Sequence, residues 1–197
     1  VDTRGVHVSD SHHTARFVCT TDTEQNQIAS FYAGAMSEAR NIELKPIVDQ
    51  IGGADVVLIG ANDPEGMRRH TDECRFRGYP FAADPSQQLA RMDGDDIKPL
   101  IEGAEYLFTN EYEAALIEQK TGWTAADLAA IVNVRIITLG PDGARIERRG
   151  CDPVLVGVPE EESKADPPGE GAAFRAGFLA GQSWGRSDES SAEVGSL

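Results

Sequence analysis

The stretch that decides the fold is Asp55–Pro64, which reads DVVLIGANDP. Its apolar run, residues 56–59, is typical of a short strand that is covered on both faces in a parallel sheet. After the run come Asp63, a good helix N-cap, and Pro64, which suits the first helical position. The stretch therefore predicts a strand, a loop and a helix, and the helix is expected to run to about Arg77.

The same unit repeats toward the C-terminus. Further strands are predicted at Phe81–Ala83, Tyr106–Thr109 and Val134–Leu139, and helices at 93–102, 111–120 and 124–131. Two antiparallel additions are expected at 144–148 and 154–158. This alternation predicts an α/β fold with a doubly wound, mostly parallel sheet flanked by helices.

Upstream of the apolar run, the pattern of apolar residues changes. Residues 14–23 alternate, with Phe17 and Cys19 on one face, and together with residues 27–32 they predict a β-hairpin. Residues 42–51 carry a helical stripe of apolar side chains. The hairpin is therefore expected to stand apart from the α/β part of the chain.

Composition excludes several classes of protein. The 197 residues carry a net charge of −15 and contain no basic cluster, so we expect no nucleic-acid partner. The three cysteines have neither zinc-site nor disulfide spacing, which suits a reducing compartment. Because no apolar run approaches transmembrane length, we expect no membrane partner and a cytoplasmic location.

Polar residues at the carboxyl ends of the strands are the first candidates for chemistry, because ligands of doubly wound sheets lie there. Asn110 and Glu113 lie three apart at one strand-to-helix junction. An amide and a carboxylate on one face of a helical turn suit a Mg²⁺ ion that keeps most of its waters. The same two residues would equally form a capping box at the start of the helix. Both interpretations are open on the sequence alone.

Two other loops carry weaker signals. Residues 138–143, TLGPDG, suit contact with a nucleotide phosphate, but they also suit a plain Pro-Asp-Gly turn. Gln87, Gln88 and Arg91 follow a predicted strand and suit contact with a polar ligand, or a solvated helix start. Neither loop is decisive alone.

Residues 166–178, DPPGEGAAFRAGF, pass from a loop into a helix. Glycines ahead of a helix start leave backbone N–H groups bare, and these groups with the helix dipole attract phosphate or another anion. An ordinary loop that enters a buried helix would have the same composition. The order of all these loops along one alternating chain is more specific than any one of them.

In that order, the loops resemble the ribokinase-like (PfkB) family of sugar and nucleoside kinases, most of all its actinobacterial adenosine kinases. The resemblance implies a Rossmann-like core over residues 42–197 and a small β lid within residues 1–41. It implies transfer of the ATP γ-phosphate to a sugar or ribose hydroxyl, with Mg²⁺ as cofactor and a small nucleoside or sugar as substrate. It also allows a homodimer through the lid.

The resemblance assigns roles by position. For the substrate base and the phosphate crevice, it implies Phe17, Phe31, Gln87, Gln88 and Arg91. For Mg²⁺ it implies Asn110 and Glu113, for ATP it implies Asn110, Thr138, Gly140 and Gly143, and for the anion hole of the transferring phosphoryl group it implies Gly169, Glu170 and Gly171.

Departures from the family pattern predict weak catalysis. The family motif places an Asp directly after the second glycine to take the proton from the attacking hydroxyl, and this chain has Ala172 there. Loss of a general base lowers a rate by about 10²–10⁴-fold. Glu170 adds a negative charge to the expected anion hole. Relative to the family, the chain is also expected to lack segments at both ends.

We therefore expect an adenosine kinase-like phosphotransferase, transferring to a ribose 5′-hydroxyl, that is impaired or inactive in this chain. The alternatives are a catalytically dead nucleotide-binding or oligomerisation module and a non-functional remnant. The choice between nucleoside and sugar stays open.

Overall fold

Two separate sheets organise the protein in the computed structural model, which describes residues 2–22, 27–159 and 169–196. The strands are β1 (Arg16–Thr21), β2 (Gln27–Tyr32), β3 (Val57–Ile59), β4 (Phe81–Ala83), β5 (Tyr106–Asn110), β6 (Val134–Thr138), β7 (Ala144–Arg148) and β8 (Val154–Val156). The α-helices are α1 (Leu44–Ile51), α2 (Pro64–Arg77), α3 (Gly94–Ile101), α4 (Glu111–Thr121), α5 (Ala125–Ile131), α6 (Glu170–Ser183) and α7 (Asp188–Gly195). Short 3-10 helices cover Gly34–Asn41, Ser86–Ala90 and Gly140–Asp142.

The larger sheet has six strands in the order β3-β4-β5-β6-β7-β8. The strands from β3 to β6 are parallel, and β7 and β8 add to this sheet in antiparallel fashion. This arrangement confirms the predicted α/β fold with a mostly parallel sheet. It brings the carboxyl ends of four strands to one edge, which is the edge where the sequence predicts a binding site.

Each face of the sheet has its own core. Neighbouring residues of a strand point to opposite faces, so Leu107 joins the core under α2–α5 while Phe108 joins the core under α6 and α7. Phe178 of α6 is fully buried, and its ring meets Phe108 edge-on at a centroid distance of 5.6 Å. This packing fixes α6 against β5.

The stretch that decides the fold behaves as predicted. The Asp63 side chain accepts from the backbone N–H of Gly66 at 3.0 Å and caps α2, and the helix ends at Gly78 in a left-handed conformation. Arg40 forms an ion pair with Asp63, with Nη2 and Oδ1 2.6 Å apart. Asp63 thus also ties the 3-10 helix at Gly34–Asn41 to the core.

The smaller sheet is the predicted hairpin of β1 and β2, in which Phe17 lies opposite Phe31. The segment before the hairpin is held by Glu38, whose carboxylate meets His7 at 2.6 Å and His12 at 2.9 Å. These hydrogen bonds, that of His7 first, lower the pKa of Glu38 to about 2. This clamp beside the hairpin was not predicted from the sequence.

Candidate active site

A cavity of about 260 Å³ opens at the carboxyl edge of the larger sheet, between the ends of β5 and β6 and the start of α6. Its lining consists of Ser86, Phe108, Thr109, Asn110, Glu113, Thr138, Gly169, Gly171, Ala172, Phe174 and Arg175. Six of these residues were predicted as site residues, namely Asn110, Glu113, Thr138, Gly169, Gly171 and Ala172. The fold therefore brings together residues from three separate segments of the sequence.

Asn110 and Glu113 form the capping box of α4. The Asn110 side chain accepts from the backbone N–H of Glu113 at 2.8 Å, and Glu113 Oε2 accepts from the backbone N–H of Asn110 at 2.9 Å. The capping interpretation is therefore confirmed. The Mg²⁺ role remains a prediction, although Glu113 Oε1 is outside the capping box and lies 3.4 Å from the hydroxyl of Ser86.

The donors at this junction suit an ion that keeps its waters. Asn110 and Glu113 both line the cavity and offer oxygen ligands, which Mg²⁺ prefers. No group of three or more His, Cys, Asp or Glu side chains in the described parts of the chain is arranged to hold a metal ion. Asn110 and Glu113 would supply two oxygen ligands to a Mg²⁺ ion and water the rest, and this mode stays a prediction.

The start of α6 lies at the cavity and carries backbone N–H groups that have no acceptor within the helix. Gly169 is the N-cap with φ +121° and offers no side-chain cap, and the first helical bond runs from the N–H of Ala173 to Gly169 O at 2.9 Å. The three preceding N–H groups, of residues 170–172, thus have no partner within the helix. The glycines and Ala172 line the cavity, whereas Glu170 is exposed and outside the lining. The Asp166–Pro168 part of the motif lies outside the described residues.

An ion pair between Asp84 and Arg175 lies beside the cavity and was missed by the sequence analysis. Arg175 Nε lies 2.8 Å from Asp84 Oδ2, and the exposed fractions of the two side chains are 24% and 4%. Asp84 Oδ1 is buried and has no hydrogen-bond partner among the described residues. Burial raises the pKa of Asp84 to about 6, with Arg175 opposing and Glu113 adding to the rise. The available signal was a carboxylate directly after a buried strand.

Ser86 was also missed by the sequence analysis. It lines the cavity and has φ +45°, a left-handed conformation that is uncommon for a residue other than glycine. Such local strain is concentrated at functional sites. The sequence signal was again the Asp-Pro-Ser breaker after β4, which marked a loop without indicating its conformation.

The predicted substrate residues after β4 do not line the cavity. Gln88 is buried, and its amide donates to the backbone oxygen of Asn62 at 2.7 Å, which joins the loops after β3 and β4. Gln87 and Arg91 are exposed and outside the lining. Phe17 and Phe31 form a half-exposed pair on the hairpin, also outside the lining.

Only part of the predicted ATP loop lies at the cavity. Thr138 lines the cavity, but Gly140 and Gly143 do not. A Cβ at Gly143 would lie 1.9 Å from the backbone oxygen of Val156, so this glycine is required by the close approach of β8. Packing alone therefore explains Gly143, and its contact with ATP remains a prediction.

The family of the chain is shown by its sequence. The chain belongs to the pfkB family of carbohydrate kinases, which it matches over residues 1–197. Within the described residues, no helix has both the length and the apolar character needed to cross a membrane.

Individual relatives are nucleoside kinases. The chain is 29% identical over 175 residues to a nucleoside kinase of Methanothermobacter thermautotrophicus, covering 87% of this chain and 54% of that protein. It is 26% identical over 177 residues to a nucleoside kinase of Methanocaldococcus jannaschii, covering 88% of this chain and 55% of that protein. The chain thus spans about half the length of these curated relatives.

Among solved structures, the chain resembles the nucleoside kinase of Burkholderia thailandensis in complex with inosine. The TM-score is 0.92 and the identity 33%, and the match covers 100% of this chain and 64% of that one. An adenosine kinase of Sinorhizobium meliloti, with TM-score 0.76 and 23% identity, shares the fold. The likeness to actinobacterial adenosine kinases stays a prediction.

Proposed function

We propose that this chain is an adenosine kinase-like nucleoside kinase that transfers the ATP γ-phosphate to the 5′-hydroxyl of a ribonucleoside. The observation that carries the proposal is the meeting of six predicted residues around one cavity at the carboxyl edge of the parallel strands. A nucleoside is favoured over a sugar by the relative that was solved with inosine. Purine salvage is the corresponding role.

Each side of the cavity has its own task in this proposal. Asn110 and Glu113 hold Mg²⁺ through its waters, and Thr138 contacts ATP together with Gly140 and Gly143. When bound, Mg²⁺ neutralises charge on the phosphates. The bare N–H groups at the start of α6 stabilise charge that develops on the transferring phosphoryl group.

Ala172 sets the rate in this proposal. It is exposed in the cavity lining, at the position where the family motif carries the general base. A methyl group cannot accept the proton of the attacking hydroxyl. Turnover is therefore lower by about 10²–10⁴-fold than with a carboxylate at this position.

The hairpin serves as a lid in this proposal. Residues 1–41 form the lid and its connection, residues 42–197 form the core, and Phe17 and Phe31 pack on the substrate base. Their half-exposed rings, which lie opposite each other on β1 and β2, support the assignment. The same apolar surface also suits a homodimer through the lid.

A second candidate function is a nucleotide-binding module without turnover. The specific observation in its favour is Ala172, which removes the base while leaving the backbone donors of α6 in place. Binding then persists without chemistry. A non-functional remnant is the outcome if binding is absent as well.

Titration and labelled phosphoryl transfer test the proposal together. Calorimetry measures the binding of Mg²⁺ with ATP, and of inosine and adenosine, to the 197-residue chain. Transfer from γ-labelled ATP is then compared in the natural chain, Ala172→Asp and Ala172→Asn. Asn is the matched control because it has the shape of Asp but does not act as the base.

We expect Ala172→Asp to exceed Ala172→Asn and the natural chain by about 10²–10⁴-fold. Equal rates in all three proteins that bind both substrates would contradict the role of position 172. Binding of ATP alone, with no transfer by any variant, would favour the binding module. No binding of either substrate would leave only the remnant.

A further inference from the structure

Arg175 is the one basic side chain in the cavity lining among the residues that the structure describes. It lies on the second turn of α6, three residues after Ala172, so the two share a helix face. A Cβ at Gly171 would lie 3.2 Å from Arg175 Nη1. The guanidinium therefore lies directly over the first turn of α6, next to its bare N–H groups.

The guanidinium is held in place but its donors are not used up. The ion pair with the buried Asp84 brings Nε to 2.8 Å of Oδ2. Within the described residues, no hydrogen bond from Arg175 to a protein acceptor is formed beyond this ion pair. A guanidinium has five N–H donors in a planar fork that matches phosphate oxygens. Among the described residues, most of these donors therefore have no protein partner and face a ligand in the cavity as candidates for binding.

Ala172 leaves this cation without a competitor on its own helix. A carboxylate three residues before an arginine forms a pair with it on the helix surface. At position 172 such a carboxylate would draw the guanidinium away from the cavity or occupy its donors. The methyl group of Ala172 does neither, so the natural chain presents the guanidinium to any anion at the start of α6.

Resting on the proposed function, we propose that Arg175 binds the phosphate group of the ligand, and that Ala172 shifts this centre from turnover toward anion retention. The recognised chemistry is a phosphate group, contacted by the fork of Arg175 and by the N–H groups of residues 170–172. Glu113 places an opposing negative charge across the cavity. Anion affinity is therefore expected to rise when Mg²⁺ is present.

The test measures binding of inorganic phosphate, and of ATP with Mg²⁺, to the 197-residue chain by calorimetry. The variants are Arg175→Gln, Arg175→Lys and Ala172→Asp. The matched control is Arg149→Gln, because Arg149 lies at the opposite edge of the sheet, where its N–H bonds to Asn133 at the start of β6. Thermal unfolding of each variant is recorded in parallel.

We expect Arg175→Gln to weaken phosphate and ATP binding by about 10–100-fold, the range for a lost hydrogen bond to a charged group. Arg175→Lys should retain part of the affinity because the charge remains, and Arg149→Gln should bind as the natural chain does. Ala172→Asp should weaken the binding of phosphate even while it raises the rate of transfer. Weaker phosphate binding together with faster transfer in this variant is the result that the proposed shift predicts.

Several outcomes would overturn the inference. Unchanged binding in Arg175→Gln would exclude the role of Arg175 and leave the kinase proposal intact. Equal loss in the Gln and Lys variants, with equal loss of thermal stability, would assign Arg175 a purely structural role. Phosphate binding that depends on Arg175, without transfer by any variant, would contradict the kinase proposal alone. No anion binding by the natural chain would contradict both.

Discussion

The loop after β6 and the start of α6 each carry two glycines near the carboxyl edge of the sheet. The structure shows that the two loops need glycine for different reasons. Gly143 is needed because the backbone of β8 passes where its Cβ would be, and it lies outside the cavity lining. Gly169 has no atom of the described residues within 4 Å of its Cβ position, and it lines the cavity. One glycine is therefore explained by packing, and the other is not.

The hydrogen bonds around the two glycine pairs show the same contrast between structure and binding. The turn after β6 closes on itself, since the N–H of Gly143 bonds to Gly140 O at 3.0 Å and the N–H of Leu139 bonds to Gly143 O at 2.7 Å. At the start of α6, the first backbone donors lack partners within the helix, and Oδ1 of Asp84, the ion-pair partner of Arg175, has no hydrogen bond to any residue that the structure describes. Unpaired polar groups beside a cavity indicate a binding site, whereas a closed set of hydrogen bonds indicates structure.

The largest effect is expected from Gly143→Ala. The new Cβ would meet a backbone oxygen that cannot move aside without breaking the β7–β8 pairing, and φ +92° adds strain. We expect the free energy of unfolding to fall by about 4 kcal/mol. Urea unfolding measures it, and Gly150→Ala, with φ +77° and open space, is the control for φ strain alone. An equal loss in both variants would show that the close approach has no cost.

The second-largest effect concerns Asp84, beside the cavity, and the pH dependence of the free energy of unfolding. Its pKa of about 6, against the ordinary 3.8, means that the folded protein holds this proton more tightly than the unfolded chain does. Its contribution to stability is therefore full below about pH 4 and is lost as the pH rises through about 6. The expected loss is about 3 kcal/mol.

Urea unfolding at pH 4.5 and pH 7.5 measures about 2 kcal/mol of this loss in the natural chain, because the rest occurs below pH 4.5, and the same measurement is made on Asp84→Asn. The difference between the two proteins isolates Asp84 from the other acids of the chain. Asp84→Asn should flatten the decline in stability between the two pH values. The same decline in both proteins would show that Asp84 is not the buried acid that the geometry indicates.

A smaller effect is expected from Gly169→Ala. No atom of the described residues lies within 4 Å of the new Cβ, so we expect the strain of φ +121° to set the cost, and the free energy of unfolding should fall by about 1–2 kcal/mol. Phosphate binding should fall together with stability because the first donors of α6 would be reoriented. Chemical unfolding and calorimetry test both; a loss as large as that of Gly143→Ala would erase the contrast between the two loops.

The smallest effect on stability is expected from Gly171→Ala. The residue is helical, and alanine is the better helix former, so stability should change by less than about 1 kcal/mol. The new Cβ would press on Arg175 Nη1, which must shift by a few tenths of an ångström. We expect phosphate affinity to fall about threefold through the weakened arginine contact. Unaltered affinity would place the phosphate away from Arg175.

The sequence predicted the local parts of the site better than the contacts between them. Asn110 and Glu113 were predictable because a capping box is set by neighbours three residues apart. Arg175 was not, because its partner Asp84 lies 91 residues earlier and only the packing of α6 against β5 brings them together. The contact of Gln88 was not predictable for the same reason, since its amide donates to the distant backbone oxygen of Asn62, and its substrate role stays a prediction.

By itself, the sequence determined the alternation of strands and helices, the caps that start α2 and α4, and the absence of a carboxylate at position 172, all of which depend on near neighbours or on residue identity. Only the tertiary structure decided which of the two glycine pairs lines a cavity, which carboxylate after a strand is buried, and which side chain the arginine of the cavity pairs with. Those properties depend on which surfaces meet when the sheet and its helices close. Such contacts join residues that are far apart in the chain, so no local pattern encodes them.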